Sequence, residues 1–335
     1  MLKEALASAD AVAAQLAAPA AVKRVAHALA SRERQVALTV ARGSSDHAAS
    51  YFAGLAMSVV GLPVASLPMS IATLEQAPLK VAHQFALAFS QSGKSPDLVD
   101  TMSALRAAGA LTVAAVNVDD SPLGAACEYS LPLLAGPELS VAATKSYIAM
   151  LAMSAQLVAH WQNDAPLLAA LERLPDALRA AGALDWSPAL EVLRDADQMM
   201  VIGRGLSLAI AQEAALKLKE TSGIQAEAFS SAEVRHGPME LIDRDYPLLV
   251  FAPRGPAQQS LLALASDMRA RGARVLLAAT DDVAERDLPL VSTADPALDP
   301  IAAIVSFYVM AASLAQARGR NPDTPRHLKK VTETH

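Results

Sequence analysis

The sequence has a single cysteine, Cys127, in 335 residues. No intrachain disulfide can form, so a reducing, cytoplasmic setting is expected and a disulfide-stapled secreted fold is not. There is no excess of basic residues: 28 Lys and Arg stand against 34 Asp and Glu, a net charge of −6. That balance argues against broad binding to nucleic acid or anionic membranes. The longest apolar runs, residues 52–65 and 301–317, are interrupted by Gly61 and Pro63 and by Ser306, Ser313 and Gln316. Both are expected to fall short of a bilayer span. The first residues carry Glu4 and Asp10, without a basic segment ahead of an apolar block, so no signal peptide is read. No two of the seven histidines have metal-ligand spacing, so no metal site is expected; on separate chemical grounds no cofactor is expected either.

What is present is a globular composition, 53% hydrophobic and 19% charged, long enough for about two domains. Alanine-rich stretches with helical spacing alternate with short β-branched runs ended by Gly or Ser. This pattern predicts βαβ units and a parallel sheet. Six runs read as strands: 36–41, 85–89, 111–116, 198–202, 247–251 and 274–278.

The two halves of the chain repeat at a nearly constant offset. Arg42-Gly43 recurs as Arg204-Gly205, and Ser45, Gly61, Phe89 and Gly93 recur as Ser207, Gly223, Phe251 and Gly255, all 162 residues on. Arg106 and Gly109-Ala110 recur as Arg269 and Gly272-Ala273 at 163, and Asp119-Asp120 as Asp281-Asp282. An offset held through strand, loop and helix indicates internal duplication. The fold expected is α/β, with two tandem doubly wound parallel-sheet domains at 35–165 and 185–318. A helical lead-in occupies 1–34, a helical connector 166–184 and a polar tail 319–335.

In such sheets ligands bind beyond the carboxyl ends of the strands. There the first half carries Phe89-Ser90-Gln91-Ser92-Gly93-Lys94-Ser95-Pro96-Asp97. Ser90, Ser92 and Ser95 offer hydroxyls, Gly93 permits a tight turn, and the helix start supplies free N–H groups. Gly43-Ser44-Ser45 gives a second hydroxyl cluster at the same edge. Together they suit a phosphate monoester; the alternative is that Ser90 or Ser95 merely caps a helix. The Walker loop and the GxGxxG turn are both missing. The second half replaces the hydroxyls with Phe251-Ala252-Pro253-Arg254-Gly255-Pro256, a poor phosphate cradle.

The second half instead carries ionisable groups. Glu213, Lys217 and Glu220 fall on one helix face at spacings of four and three. They read either as an exposed salt-bridge stripe or as a site bearing a carboxylate base. His236, in Glu233-Val234-Arg235-His236-Gly237-Pro238, lies in a turn, as a solvated residue or as a proton-transfer partner. The tail from Asn321 to Thr332 reads as a frayed terminus or, with Pro322, Pro325 and Leu328, as a docking segment.

Five of these stretches, in order, resemble the sugar isomerase (SIS) family. They are Ser90-Gln91-Ser92-Gly93, residues 138–145 (ELSVAATK), residues 214–220 (AALKLKE), the turn 233–238 and the tail 325–330 (PRHLKK). The resemblance is to the isomerase half of glucosamine-6-phosphate synthase. The first turn, Arg42-Gly43-Ser44-Ser45, is more similar to stand-alone SIS-type glucosamine-6-phosphate deaminases. This implies flavodoxin-like SIS domains and a sugar phosphate bound by Ser45, Ser90, Gln91, Ser92 and Ser95, with Ser44 adjacent. It also implies backbone contacts to the sugar from Val141 and Ala142. Glu220 would move the proton between C1 and C2, and His236, reaching in from a partner subunit, would open the ring. Lys217 would lie near that carboxylate, and Lys330 would be the tail lysine that handles the open-chain carbonyl. The family pattern is departed from at Lys329, where the synthase usually has a small apolar residue. With Met1-Leu2 at its start and only Cys127, the chain is not expected to hydrolyse glutamine.

The function expected is therefore that of a homodimeric, cytoplasmic enzyme with shared active sites, binding neither nucleic acid nor membrane. It would convert glucosamine 6-phosphate to fructose 6-phosphate and ammonia. The alternatives are another phosphosugar ketose–aldose isomerase, an isomerising aminotransferase-like enzyme, a deglycase, or a non-catalytic sugar-phosphate sensor.

Overall fold

The computed structural model describes residues 1–118 and 120–330. Asp119, one half of a repeated aspartate pair, and Val331 and Thr332 of the tail lie outside the described residues. Among the described residues, ten strands form two five-stranded sheets, all parallel. The first contains β1 (Ala37–Val40), β2 (Val64–Ser66), β3 (Phe85–Ser90), β4 (Leu111–Val116) and β5 (Tyr129–Pro132), in the order β2-β1-β3-β4-β5. The second contains β6 (Gln198–Gly203), β7 (Gln225–Ser230), β8 (Pro247–Ala252), β9 (Arg274–Ala279) and β10 (Leu288–Pro289), in the order β10-β9-β8-β6-β7. Read from the other edge, the second order is the first again. Register repeats too: Phe85 faces Leu111 across β3 and β4, and Pro247 faces Arg274 across β8 and β9. The duplicated doubly wound fold read from the sequence is the fold observed.

The six runs read as strands are the six interior strands. The four that the pattern did not show, β2, β5, β7 and β10, are the four sheet edges. The reason is burial. Interior β3 is buried along its whole length, which demands a continuous apolar run. Edge β2 has no buried residue, and β7 has only one.

The chain divides into two compact units, one per sheet. The first unit comprises Asp10–Glu138 and Lys145–Glu172 together with Lys329 and Lys330. Helices Ala20–Ala30 and Ser44–Val59 pack on the long helix Lys145–Gln162, which is buried over nearly its whole surface. Phe52, Phe85 and Trp161 meet edge to face in this core, with ring centroids 6.1 and 6.0 Å apart.

The second unit comprises Met1–Ala9, Leu139–Thr144 and Arg173–Leu328. Its core runs through Trp186, Phe251, Phe307 and Tyr308. The helical segment Pro296–Ala317 is long and apolar enough to cross a membrane, contrary to the expectation that this run falls short. Of its most apolar stretch, 83% is buried inside the fold. The hydropathy is thus that of a core helix, packed against the helices Leu174–Gly182 and Leu206–Lys217.

Candidate functional site

In the first unit the carboxyl end of β3 places Ser90 at the mouth of a cleft of about 360 Å³. The cleft is lined by Ser45, Ser90, Gln91, Ser92 and Ser95, joined by Arg42 and Lys330, with Phe89 and Leu98 as apolar walls. Ser44 begins the adjacent helix Ser44–Val59 and does not line the cleft.

The loop's shape follows from its residues. Gly93 has φ of +63°, and a Cβ there would sit 2.5 Å from Ser121 Oγ, so only glycine lets this loop lie against the next one. The Gly93 N–H donates to Ser90 Oγ at 2.9 Å, and the Lys94 N–H to Ser92 Oγ at 3.3 Å. Both hydroxyls accept within their own loop and keep a proton to donate. Ser95 occupies the N-cap of Pro96–Ala107 but makes no side-chain cap bond. The capping alternative therefore does not account for these serines.

Two cations complete the cleft, each held by a buried carboxylate. Arg42 contacts Asp97 Oδ2 through Nε and Nη2, both at 2.7 Å, and Asp97 is 3% exposed. Lys330 Nζ lies 3.1 Å from Glu138 Oε2, which also accepts from Ser146 Oγ at 2.7 Å. Two cations, each paired with a carboxylate, beside five polar residues and a helix start offer donors that suit a phosphate group. Arg42 stands out in the sequence only through the repeat and the first turn, not as a binding residue. Its place directly after β1, beside the serine turn, was the available signal.

In the second unit the equivalent loop is closed from within. Arg254 takes Asp299 bidentately at 2.9 and 2.7 Å and donates to Thr293 O at 2.7 Å. Asp299 is fully buried. The guanidinium thus occupies internal acceptors where the first copy presents hydroxyls.

Glu213, Lys217 and Glu220 do gather, but not as an exposed stripe: Glu213 is fully buried and Lys217 is 1% exposed. Tyr308 Oη donates to Glu213 Oε1 at 2.9 Å, and Lys217 Nζ lies 3.5 Å from the same oxygen. Lys217 also donates to Glu220, which is 19% exposed. Burial opposes the Lys217 charge, and the Glu213 and Glu220 carboxylates more than reverse this, holding its pKa above the ordinary lysine value. Lys217 is therefore an ammonium. Glu220 does not continue the helix Leu206–Lys217 but sits in a π-helical turn, Leu218–Ser222, closed by Gly223 in the left-handed conformation. Such a turn widens the backbone and re-aims its side chains, and it often marks a functional site.

His236 ends a short 3₁₀ turn, Glu233–His236, and is exposed, while Val234 anchors the turn in the core. Ala142 is buried and Val141 half-buried. The Val141 N–H donates to Asp323 O at 3.1 Å, joining this segment to the tail.

The SIS domain model matches residues 31–160 and 192–315. The chain belongs to the SIS domain family. Among curated proteins, it is 35% identical to a glutamine–fructose-6-phosphate aminotransferase (isomerizing) of Thermus thermophilus over 272 residues. That match covers 76% of this chain and 44% of the relative, so the chain spans about half the length of the curated relatives it matches. Among solved structures, a candidate phosphosugar isomerase of Silicibacter pomeroyi is 41% identical, with a TM-score of 0.91, over 96% of this chain and 99% of that one. A glucosamine-6-phosphate deaminase of Thermotoga maritima, 20% identical, shares the fold, with a TM-score of 0.75 over 98% and 99% of the two chains.

Proposed function

We propose that the protein is a phosphosugar enzyme that deaminates and isomerises glucosamine 6-phosphate to fructose 6-phosphate and ammonia. The observation that carries the reading is the convergence of Ser45, Ser90, Gln91, Ser92 and Ser95 with Arg42 and Lys330 on one cleft. Hydroxyls, a helix start and two cations form a receptor for a sugar's phosphate.

The roles given to the other groups are those the family resemblance implies, and their environments support them. His236 opens the ring by moving a proton between the anomeric hydroxyl and the ring oxygen. Glu220 takes the proton from C2 of the open-chain aldehyde, the 2-ammonium group gives a proton to O1, and Glu220 returns its proton to C1, which leaves an iminium at C2. Water adds at C2 and ammonia departs, giving the ketone. Lys217, held as an ammonium, cannot act as a nucleophilic amine; it positions Glu220 and steadies the negative charge that develops on enolisation. Val141 and Ala142 support the sugar, and Lys330, on the tail beside the serine cleft, either pairs with the phosphate or, as the family resemblance implies, meets the open-chain carbonyl. The exposed position of His236 suits a homodimer in which it serves a second copy's site.

A second reading is favoured by the 35% identity to an isomerizing aminotransferase: sugar isomerisation with nitrogen retained. Incubating the protein with glucosamine 6-phosphate, without metal or nucleotide, separates the two. Ammonium and fructose 6-phosphate in equal amounts support deamination. Isomerisation without ammonium supports the second reading, and no turnover of any phosphosugar overturns both.

A further inference from the structure

The amino end of the first sheet carries a second cationic cleft, of about 400 Å³, that the proposed reaction does not use. Arg32, Arg34, Arg106 and His83 line it, with Glu128 as the one carboxylate among its lining residues. It adjoins the starts of β3 and β4, whereas the serine loop follows the end of β3. Six residues of strand separate the two sites by roughly 20 Å.

The groups are held in place and leave donors over. Arg32 Nη1 lies 2.7 Å from His83 Nδ1. A guanidinium only donates, so Nδ1 accepts and the neutral ring carries its proton on Nε2, a further donor. Arg34 donates to His83 O at 2.6 Å and to Ala28 O at 3.1 Å, while its buried Nε has no partner among the described residues. Arg106 is anchored through Nη1 on Ala126 O at 3.2 Å. Burial and then the neighbouring Arg32 charge lower the Arg34 pKa, against Glu128 and Tyr129, and the cleft sets three guanidiniums against one carboxylate.

The duplication supplies an internal control. His83 and Asp245 are equivalent at an offset of 162, share a left-handed backbone (φ +66° and +63°) and donate N–H bonds to the equivalent Gly109 O and Gly272 O. The same edge of the second unit, however, carries Glu191, Asp195, Asp197, Asp243 and Asp245 around its cleft, against Arg244 and Arg274. The backbone therefore does not require a basic edge; the same scaffold accommodates an acidic one. We propose that the Arg32–Arg34–His83–Arg106 cleft binds a small phosphate-bearing anion, as a second site distinct from the serine cleft.

Residue-resolved NMR of the deuterated full chain tests this, with inorganic phosphate as the probe at constant ionic strength and acetate as a monoanion control. Saturable shifts of the Gln84, Gly109 and Leu111 amides are expected, weaker with acetate. They should persist in Ser90→Ala/Ser92→Ala protein, and the affinity read from them should fall at least tenfold in Arg32→Gln/His83→Asn. Arg32 and His83 are exposed and Asn tolerates the left-handed backbone, so this variant should fold. A melting temperature and a spectrum that match wild type away from the cleft verify it, and should they fail, Arg106→Gln replaces it. Absence of saturable shifts at this edge, equal response to acetate, or unchanged affinity in the folded variant would overturn the proposal.

Discussion

Gly43 and Gly205, 162 residues apart, hold the same unusual backbone conformation: φ and ψ are 56° and −133° at one, 59° and −133° at the other. Each follows the first strand of its sheet and is the N-cap of the next helix. A Cβ at Gly43 would meet nothing within 4 Å, and at Gly205 only Ala257 Cβ at 3.9 Å. Glycine is needed here for backbone freedom and not for space. Gly43→Ala and Gly205→Ala should each cost about 1–3 kcal/mol, and the two should add. Urea unfolding would measure both, and a stabilised variant would contradict the strain.

Ser90→Ala with Ser92→Ala should weaken sugar-phosphate binding at least tenfold, since charge-assisted bonds contribute about 1.5–3 kcal/mol each. Ser90 also accepts the Gly93 N–H, so a stability loss of about 1 kcal/mol should accompany it. Calorimetry that shows unchanged affinity would return the serines to a purely structural role.

Glu220→Gln keeps the shape of the side chain and removes the base. Turnover should fall by roughly 10²–10⁴ while sugar-phosphate binding survives. Activity within a few-fold of wild type would leave Glu220 as only a counter-ion for Lys217.

Glu213→Gln removes one of two carboxylates around a buried ammonium. A destabilisation of about 3 kcal/mol is expected, the lower end for a broken buried pair because Glu220 remains. The Lys217 pKa is raised on folding, so its contribution is complete below the unfolded value of 10.5 and is lost as pH rises through the higher folded value. Wild-type urea midpoints should show no loss from this group between pH 7 and 9. The alkaline loss should begin at lower pH in Glu213→Gln.

Cys127 is 5% exposed, and burial pushes its thiol up to about 12, against smaller opposing effects of Thr112 and Arg106. Native protein at pH 8 should resist alkylation, and unfolded protein should react fully. Rapid modification of the native thiol would show that the helix Pro122–Ala126 opens.

The residues by themselves determined the fold class, the duplication and the serine cleft. Interior strands buried on both faces need continuous apolar runs, and a phosphate loop is one contiguous segment, so both are written locally. The edge strands were not legible because half-exposed backbone makes little demand on side chains. Helical spacing put Glu213, Lys217 and Glu220 on one face, yet their burial came from Tyr308 and the core helix Asp299–Ala317, far along the chain. The π turn that displaces Glu220, the closure of the second loop by Arg254 and Asp299, and the gathering of Arg32, Arg34, His83 and Arg106 were likewise decided by tertiary structure. Each depends on which strands lie side by side, and the pairing of distant segments sets that, beyond the reach of any local pattern.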